Sequence, residues 1–267
     1  MMSDKVEDVS EEDVQRLAEF IDTAARIVVF TGAGISTESG IADFRSPGGI
    51  WSQIKPIQFD EFLTREDMRM EDWRRRFVFQ AEFDAAPIND GHRGVATIIN
   101  STKGLGLITQ NIDGLHQRAG IADSDVVEIH GNGVRAACLD CQSPMSLAEA
   151  KTIIEQTGQS PRCGRCGGLV KSKIISFGQP MPQDKMVDAE RLAMSCDLFL
   201  VLGSSLVVQP AASLPLVAKN NGSKLAIINK QSTPLDAIAD FLLPSSIGTS
   251  LQKALEKSAL GGSSANI

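Results

Sequence analysis

Four of the five cysteines in this 267-residue chain form two closely spaced pairs. The pairs, which 21 residues (142–162) separate, consist of Cys138, Cys141, Cys163 and Cys166. Two Cys-x-x-Cys pairs at this separation can present four thiolates to one ion, so they predict a tetrahedral zinc site. Because four thiolates leave no open position on the metal, we expect the zinc to be structural rather than catalytic. The alternative is two redox dithiols; Cys196 stands alone and is expected to be a core residue.

A glycine-rich segment follows the first apolar run of the chain. Residues 27–30 are apolar, and one residue, Thr31, separates them from Gly32, Ala33 and Gly34. Glycines let backbone amides approach a phosphate closely, and a helix that begins there would favour the anion. The segment departs from the dinucleotide fingerprint G-x-G-x-x-G because Thr37 stands where the third glycine would be. Its own residues therefore predict either a nucleotide loop or a structural turn.

Short clusters of residues suited to a nucleotide follow the glycine segment and the later apolar runs. They are Asp43, Phe44, Arg45, Gln110, Asn111, Ile112, Asp113, Gly203, Ser204, Ser205, Asn229 and Lys230. Arginine suits phosphate, while side-chain amides and hydroxyls suit ribose and amide groups. Among the three histidines, His92 and His116 lie in helix-like segments and are expected to cap or pack. His130 follows a buried run and precedes a glycine, where an imidazole can act as a general base.

Seven apolar runs predict the scaffold that positions these residues. They cover residues 27–30, 105–108, 126–129, 174–175, 198–202, 225–228 and 241–243. Most are apolar throughout, as strands buried on both faces are, and helix-like segments separate several of them. These features predict an α/β fold with a doubly wound, Rossmann-like parallel sheet. In such sheets ligands bind beyond the carboxyl ends of the strands, which is where the polar clusters occur.

Two segments interrupt the pattern of apolar runs. Residues 44–90 are rich in aromatic residues, Arg and Met and have a helical pattern, whereas residues 131–173 carry the paired cysteines. We expect these insertions to form one small domain that combines a helical module with a zinc-ribbon module. The large domain would consist of residues 13–43, 91–130 and 174–258, with flexible tails at residues 1–12 and 259–267.

The composition excludes several classes of protein. Hydrophobic residues make up 42% of the chain and charged residues 22%, which is typical of a globular protein rather than a disordered one. A formal net charge of −7 argues against an extended nucleic-acid surface. No apolar run approaches the ~20 residues of a membrane span, and the acidic N-terminus does not resemble a secretory signal. We therefore expect a cytoplasmic protein without membrane partners or direct nucleic-acid binding.

Taken together, the motifs resemble those of the sirtuins, the NAD-dependent protein-lysine deacylases. In chain order, the resemblance is carried by residues 32–36, 43–45, 109–113, 130–132, the two cysteine pairs, 177–178 and 203–205. It extends from about residue 16 to about residue 255. Sirtuins cleave the bond between nicotinamide and ribose in NAD and move the acyl group of a modified lysine onto that ribose. The resemblance therefore implies NAD as co-substrate, one structural zinc ion, and nicotinamide and O-acyl-ADP-ribose as products.

The resemblance also implies roles for individual residues. Contacts with NAD would come from Gly32, Ala33, Gly34, Asp43, Phe44, Arg45, Gln110, Asn111, Ile112, Asp113, Gly203, Ser204, Ser205, Asn229, Lys230 and Ile247. Three of these residues would be catalytic. His130 would be the base that removes a proton from a ribose hydroxyl, while Asn111 and Asp113 would hold the carboxamide of nicotinamide.

The implied partner is an acyl-lysine protein or peptide that binds as an extended strand. Substrate contacts would come from Ile175, Phe177, Gly178, Val207 and Val208. Pairing through the main chain would make this binding tolerant of the substrate's sequence. Ile175 and Phe177 would line an apolar tunnel for the lysine stem.

The missing tyrosine bears on the acyl group. Sirtuins that prefer succinyl- or malonyl-lysine carry a Tyr and an Arg three residues apart, whereas a count back from His92 places Arg74 and Phe77 at these positions. We therefore predict removal of acetyl or other neutral acyl groups. Two other functions stay open: mono-ADP-ribosyl transfer from the same cleft, and a non-catalytic NAD- or ADP-ribose-binding module. An intact His130 argues against the second.

Overall fold

The structure is a computed structural model that describes residues 9–46 and 48–261. Their strands are β1 (Ile27–Thr31), β2 (Gly104–Thr109), β3 (Val126–Glu128), β4 (Gly131–Cys138), β5 (Pro144–Met145), β6 (Val170–Ile174), β7 (Leu198–Leu202), β8 (Lys224–Ile228) and β9 (Phe241–Leu243). Their α-helices are α1 (Glu11–Thr23), α2 (Ile50–Gln53), α3 (Phe59–Thr64), α4 (Glu66–Ala85), α5 (Asp90–Ile99), α6 (Leu115–Arg118), α7 (Leu147–Thr157), α8 (Gln183–Ser195), α9 (Leu214–Asn220) and α10 (Ile247–Lys257).

Six of these strands form a parallel sheet in the order β3-β2-β1-β7-β8-β9. Because side chains alternate along a strand, successive residues enter different cores. Val28 and Phe30 pack with residues of α8 and α9, whereas Ile27 and Val29 pack with residues of α1, α5 and α10. Both faces of the sheet are therefore covered by helices, and the predicted doubly wound α/β fold is confirmed.

The strand order reverses between β1 and β7. From β1 the chain passes to β2 and β3 on one side of the sheet, and later to β7, β8 and β9 on the other. At such a switch point the loops after the two adjacent strands run in opposite directions, which opens a crevice at their carboxyl ends. The topology thus locates a ligand cleft between the loops that follow β1 and β7.

A second sheet is antiparallel and has the order β5-β4-β6. Trp73 of α4 packs against this sheet beside Ala136 and Val170, so the helical insertion and the cysteine-bearing insertion share a hydrophobic cluster. The expectation that residues 174–175 belong to the parallel sheet is wrong, because Ile174 ends β6 and pairs with Gly131 of β4. A short apolar run does not reveal its partner strand, since pairing is a tertiary contact.

Both predicted tails are partly ordered into the fold. Helix α1 begins at Glu11, and the side chain of Ser10 caps it. Leu260 packs against the core that contains α1 and α10. The remaining tail residues, 1–8 and 262–267, lie outside the described residues, and the expectation of flexible tails stays a prediction. None of the described helices combines the length and apolarity needed to cross a membrane.

Candidate active site

A cleft lies at the carboxyl ends of the parallel strands, where the topology places it. Its lining residues are Gly32, Ala33, Gly34, Thr37, Glu38, Asp43, Phe44, Arg45, Ser46, Gln110, Asn111, His130, Gly203, Ser204, Ser205, Val208, Asn229, Lys230, Gln231, Ser245 and Ile247. The structure therefore brings together almost all of the residues that the sequence assigned to NAD; Ile112 and Asp113 are absent from the lining. The sequence reasoning missed Thr37, Glu38, Ser46, Gln231 and Ser245, which lie within four residues of the assigned positions.

The glycine segment lets two backbones touch at the floor of the cleft. Gly32 N donates to Leu202 O at 3.0 Å, and Gly34 N donates to Gly203 O at 2.9 Å. A Cβ on Gly34 would lie 2.7 Å from Gly203 Cα, and Gly203 itself has a φ of +66°. Larger residues would force the loops after β1 and β7 apart. A 3₁₀-helix, Ala33–Ser39, follows the turn in place of an α-helix.

The loop after the 3₁₀-helix is stabilised by Asp43. Its Oδ1 accepts hydrogen bonds from the backbone N–H of Arg45 (2.9 Å) and from the N–H (2.8 Å) and hydroxyl (2.7 Å) of Ser46. This turn holds Arg45 at the cleft, where partial burial lowers the pKa of its guanidinium while Asp43 opposes the shift. The ring of Phe44 lies 5.1 Å from that of Trp51, which meets Phe177 at 5.7 Å. An aromatic row thus connects this loop to the expected substrate segment.

His130 is held in the tautomer that a general base requires. Its Nδ1 lies 3.1 Å from the backbone carbonyl oxygen of Gln110, which can only accept, so Nδ1 carries the proton and Nε2 the lone pair. Burial lowers the pKa of His130, and the nearby Arg45 lowers it further, although the Gln110 carbonyl opposes both. The imidazole is therefore neutral at pH 7. The Gln110 side chain accepts a hydrogen bond from Ser204 Oγ at 2.6 Å, which connects the loops after β2 and β7.

Asn111 lines the cleft, and Asp113 lies behind it. Ser36 Oγ donates to Asp113 Oδ2 at 2.8 Å and accepts from Asn111 Nδ2 at 3.3 Å. The other Asp113 oxygen accepts the N–H of Leu115 at 2.9 Å, and burial raises the pKa of the carboxyl group. Asp113 thus orients Ser36, which orients the Asn111 carboxamide. The sequence gives no sign of this role for Ser36, because Ser36 and Asp113 lie 77 positions apart.

The far end of the cleft is formed by the loops after β8 and β9. Asn229 is buried and its Nδ2 donates to Gln231 O at 2.6 Å, which leaves Oδ1 as an acceptor. Lys230 is exposed, whereas Ile247 is buried at the start of α10. The N–H of Gly248 donates to Glu38 Oε1 at 3.1 Å, so α10 is attached to the 3₁₀-helix that follows the glycine turn.

The expected substrate segments lie beside His130 and after β7. Ile175 N donates to His130 O at 2.9 Å, so this segment and the proposed base are directly linked. Phe177 and Val207 are 42% and 52% exposed, so both side chains are available for contact. Val208 lines the cleft itself.

The four paired cysteines converge on one point. Their Sγ atoms all lie within 4.8 Å of one another, with separations of 3.4 to 3.6 Å among the closest pairs. Four thiolates around zinc with Zn–S bonds of about 2.3 Å have sulfur separations of ~3.8 Å, so this donor set fits the ion. The residues after each pair, Gln142 and Gly167, have φ of +58° and +76°, which turns the chain back toward the metal position.

The remaining residues singled out in the sequence lie away from the cleft. Arg74 is exposed and pairs with Glu71. Phe77 stacks on Trp73 in the hydrophobic cluster between α4 and the antiparallel sheet. Neither lines the cleft, so the acyl preference stays a prediction. Cys196 is buried in the core beside α8 and α9, as expected.

Comparisons with known proteins identify the family. A family model described as the Sir2 family matches residues 32–210. The chain belongs to the Sir2 family. It is 50% identical over 238 residues to an NAD-dependent protein deacetylase of Rhodopseudomonas palustris, covering 89% of this chain and 94% of the relative. It is 48% identical to NAD-dependent protein deacetylase 1 of Bradyrhizobium diazoefficiens, covering 89% and 93%.

Solved Sir2 structures share the fold. A complex of Sir2 with a p53 peptide and NAD+ has a TM-score of 0.80 and 34% identity, covering 93% of this chain and 98% of that one. A Sir2 variant with a deacetylated p53 peptide and 3′-O-acetyl ADP ribose has a TM-score of 0.82 and 33% identity, covering 92% and 98%. The resemblance to the sirtuins seen in the sequence is thus confirmed.

Proposed function

We propose that this chain is an NAD-dependent protein-lysine deacetylase. The observation that carries the proposal is His130, a neutral imidazole whose Nε2 is free to accept a proton beside a nucleotide-sized cleft. The two bacterial relatives with 48–50% identity are named NAD-dependent protein deacetylases. In this reaction NAD supplies the ribose that accepts the acyl group, and the products are nicotinamide, free lysine and O-acyl-ADP-ribose.

Different residues of the cleft bind different parts of NAD. Because the N–H groups of Gly32 and Gly34 are used within the protein, the backbone amide of Ala33 and the guanidinium of Arg45 bind the phosphates. Ser204 and Ser205 bind ribose and phosphate oxygens. Asn111 binds the nicotinamide carboxamide, with its side chain oriented through Ser36. The remaining adenosine contacts come from Asn229, Lys230 and Ile247.

His130 removes a proton from a ribose hydroxyl, which prepares that oxygen to receive the acyl group. A base with a lowered pKa is unprotonated at pH 7, so no proton has to leave before the step. Phe44 covers the reacting atoms and excludes water, since its ring is held over the cleft rim by Trp51. Asp113 and Ile112 are assigned to the same nicotinamide pocket as Asn111, and Asp113 also orients Ser36 by accepting its hydrogen bond.

The acylated peptide binds as an extended strand. Ile175, Phe177 and Gly178 form one side of its site, and Val207 and Val208 form the other. The exposure of Phe177 and Val207 supports this assignment, because their apolar surfaces would be covered by the bound peptide. We assign acetyl and other neutral acyl groups as substrates, since a chain without tyrosine lacks the tyrosine of the acidic-acyl selector.

Zinc is structural in this proposal, because all its positions are taken by cysteine thiolates. The ion and the hydrophobic cluster around Trp73 would hold residues 44–90 and 131–173 together as one small domain. Thiolate ligands require a reducing compartment, which together with the need for NAD favours the cytoplasm.

The test is a product analysis with a library of acyl-lysine peptides. Wild-type protein, NAD and acetyl-, succinyl- or myristoyl-lysine peptides are incubated, and all products are identified by mass spectrometry. We expect nicotinamide and O-acetyl-ADP-ribose in equal amounts, and only when the acylated peptide is present. Attachment of ADP-ribose to protein would instead indicate ADP-ribosyl transfer, and NAD binding without products would indicate a binding module. Dominant turnover of succinyl-lysine would contradict the assignment of neutral acyl groups.

A further inference from the structure

A buried polar network of Thr31, Thr109 and His116 lies beneath Asn111. Thr31 and Thr109 are register partners at the ends of β1 and β2, and Thr31 Oγ1 donates to Thr109 Oγ1 at 2.8 Å. Thr109 Oγ1 also accepts the backbone N–H of Asn111 at 3.0 Å. On the other side, Thr31 Oγ1 lies 2.9 Å from His116 Nε2. Three hydrogen bonds therefore form a continuous chain from α6 to the backbone of Asn111.

This chain of hydrogen bonds is shielded from water along its whole length. Thr31, Thr109 and His116 are 0%, 3% and 1% exposed. The ring of His92 meets that of His116 edge-on, with centroids 5.1 Å apart, and closes the network on the side of α5. Buried polar groups that lose a partner cannot replace it with solvent, so each member depends on the others.

The protonation state of His116 is compatible with one direction of donation along these hydrogen bonds. Burial lowers the pKa of His116 to about 3, so its imidazole is neutral at pH 7. Since Thr31 uses its hydroxyl hydrogen on Thr109, it accepts from His116, whose Nε2 then carries the proton. His116 therefore donates to Thr31, and Thr31 donates to Thr109, whose Oγ1 also accepts the backbone N–H of Asn111.

We propose that Thr109, supported by Thr31 and His116, is a positioning residue that holds the backbone of Asn111 where its carboxamide meets nicotinamide. This inference rests on the proposed function. Ser36 fixes the end of the Asn111 side chain, and Thr109 fixes its backbone, so the two contacts together determine where the carboxamide lies. Losing the Thr109 acceptor leaves a buried N–H without a partner and moves the loop. Only ligands that carry the nicotinamide carboxamide will respond to that movement.

The test compares Thr109→Val with Thr109→Ser. Valine keeps the shape of threonine and removes the acceptor, while serine keeps the hydroxyl. Dissociation constants for NAD and for ADP-ribose, which lacks nicotinamide, are measured by calorimetry without peptide. We expect Thr109→Val to weaken NAD binding about tenfold and to change ADP-ribose binding by less than about twofold. Thr109→Ser should restore NAD binding. The constant for inhibition of turnover by nicotinamide should rise in parallel with the NAD dissociation constant.

The controls separate positioning from loss of stability. Ser223→Ala removes another buried hydroxyl, which donates to Cys196 O at 2.8 Å, and should leave both ligands unaffected. Thr31→Val removes the hydrogen bond between Thr31 and Thr109 and should give the same NAD-specific loss. This variant replaces Thr109→Val in the test if Thr109→Val does not fold. Equal losses for both ligands, unchanged NAD binding, or failure of serine to rescue would overturn the inference. A wild type that binds NAD but never consumes it would remove the proposed function and leave this comparison intact.

Discussion

Replacing Gly34 with alanine tests the reason for the glycine turn. In the structure a Cβ at this position would lie 2.7 Å from Gly203 Cα and 2.8 Å from Gly203 O, both backbone atoms. Ordinary contacts begin near 3.4 Å, so the two loops would have to separate by about 0.7 Å. The hydrogen bond from Gly34 N to Gly203 O, now 2.9 Å long, would be stretched or lost.

The displacement would fall on the cleft rather than on the sheet. Phe30 and Val201 are register partners in the central strands β1 and β7, and both are fully buried. Because close-packed strands resist movement, the turn itself must shift. Overpacking of this kind costs about 1–3 kcal/mol. If that cost appears in ligand binding, affinity for ADP-ribose falls by roughly 5-fold to 150-fold, since about 1.4 kcal/mol corresponds to a factor of ten.

Calorimetric titration with ADP-ribose measures the change, and thermal unfolding reports the stability of Gly34→Ala. Gly164→Ala is the matched control, because a Cβ there meets no atom within 4 Å and φ lies outside the left-handed region. We expect the control to bind ADP-ribose as the wild type does. If Gly34→Ala binds it within about twofold of the wild type, the backbone contact is not what the cleft requires.

Three further predictions concern the base, the metal site and the buried histidines. His130→Gln should lower kcat about 10²- to 10⁴-fold in steady-state kinetics with little change in ADP-ribose binding. Because burial lowers the pKa of His130, wild-type activity should persist below pH 6.5, and an acid limb at pH 7 or above would contradict this. Cys163→Ser should lose zinc by elemental analysis and lose the small sheet by circular dichroism, whereas Cys196→Ser keeps its zinc. Burial lowers the pKa of His92 to about 4 and of His116 to about 3. The unfolded chain, with histidine pKa values near 6.5, therefore takes up protons first as the pH falls. The free energy of unfolding in urea should drop from pH 6.5 to 4 by up to about 1.4 kcal/mol per pH unit for each histidine, and His92→Leu should flatten this slope.

The zinc ligands and the cleft loops could be predicted because they depend on neighbouring residues. The two-residue spacer between Cys138 and Cys141 lets both thiolates reach one ion, so the spacing of the two pairs predicts the site. Gly32 and Gly34 follow an apolar run, and a run buried on both faces predicts a parallel strand whose carboxyl end faces a ligand. Each of these inferences needs only a few adjacent positions.

The arrangement across loops could not be predicted in the same way. The resemblance assigned Asp113 to NAD, and only the structure shows that its carboxylate also accepts a hydrogen bond from Ser36. Ile174 looked like part of the parallel sheet, and its pairing with Gly131 places it in the antiparallel one. In both cases the deciding contact joins residues that are more than 40 positions apart.

The amino-acid sequence by itself determined the family, the alternation of strands and helices, the four metal ligands and the loops that line the cleft. Only the tertiary structure decided which groups in those loops line the cleft and which lie behind them. It showed that the Gln110 carbonyl sets the tautomer of His130 and that Thr109 holds the backbone of Asn111. The physical reason is that hydrogen-bond partners and burial depend on how distant segments pack, whereas spacing along the chain reports only what is local.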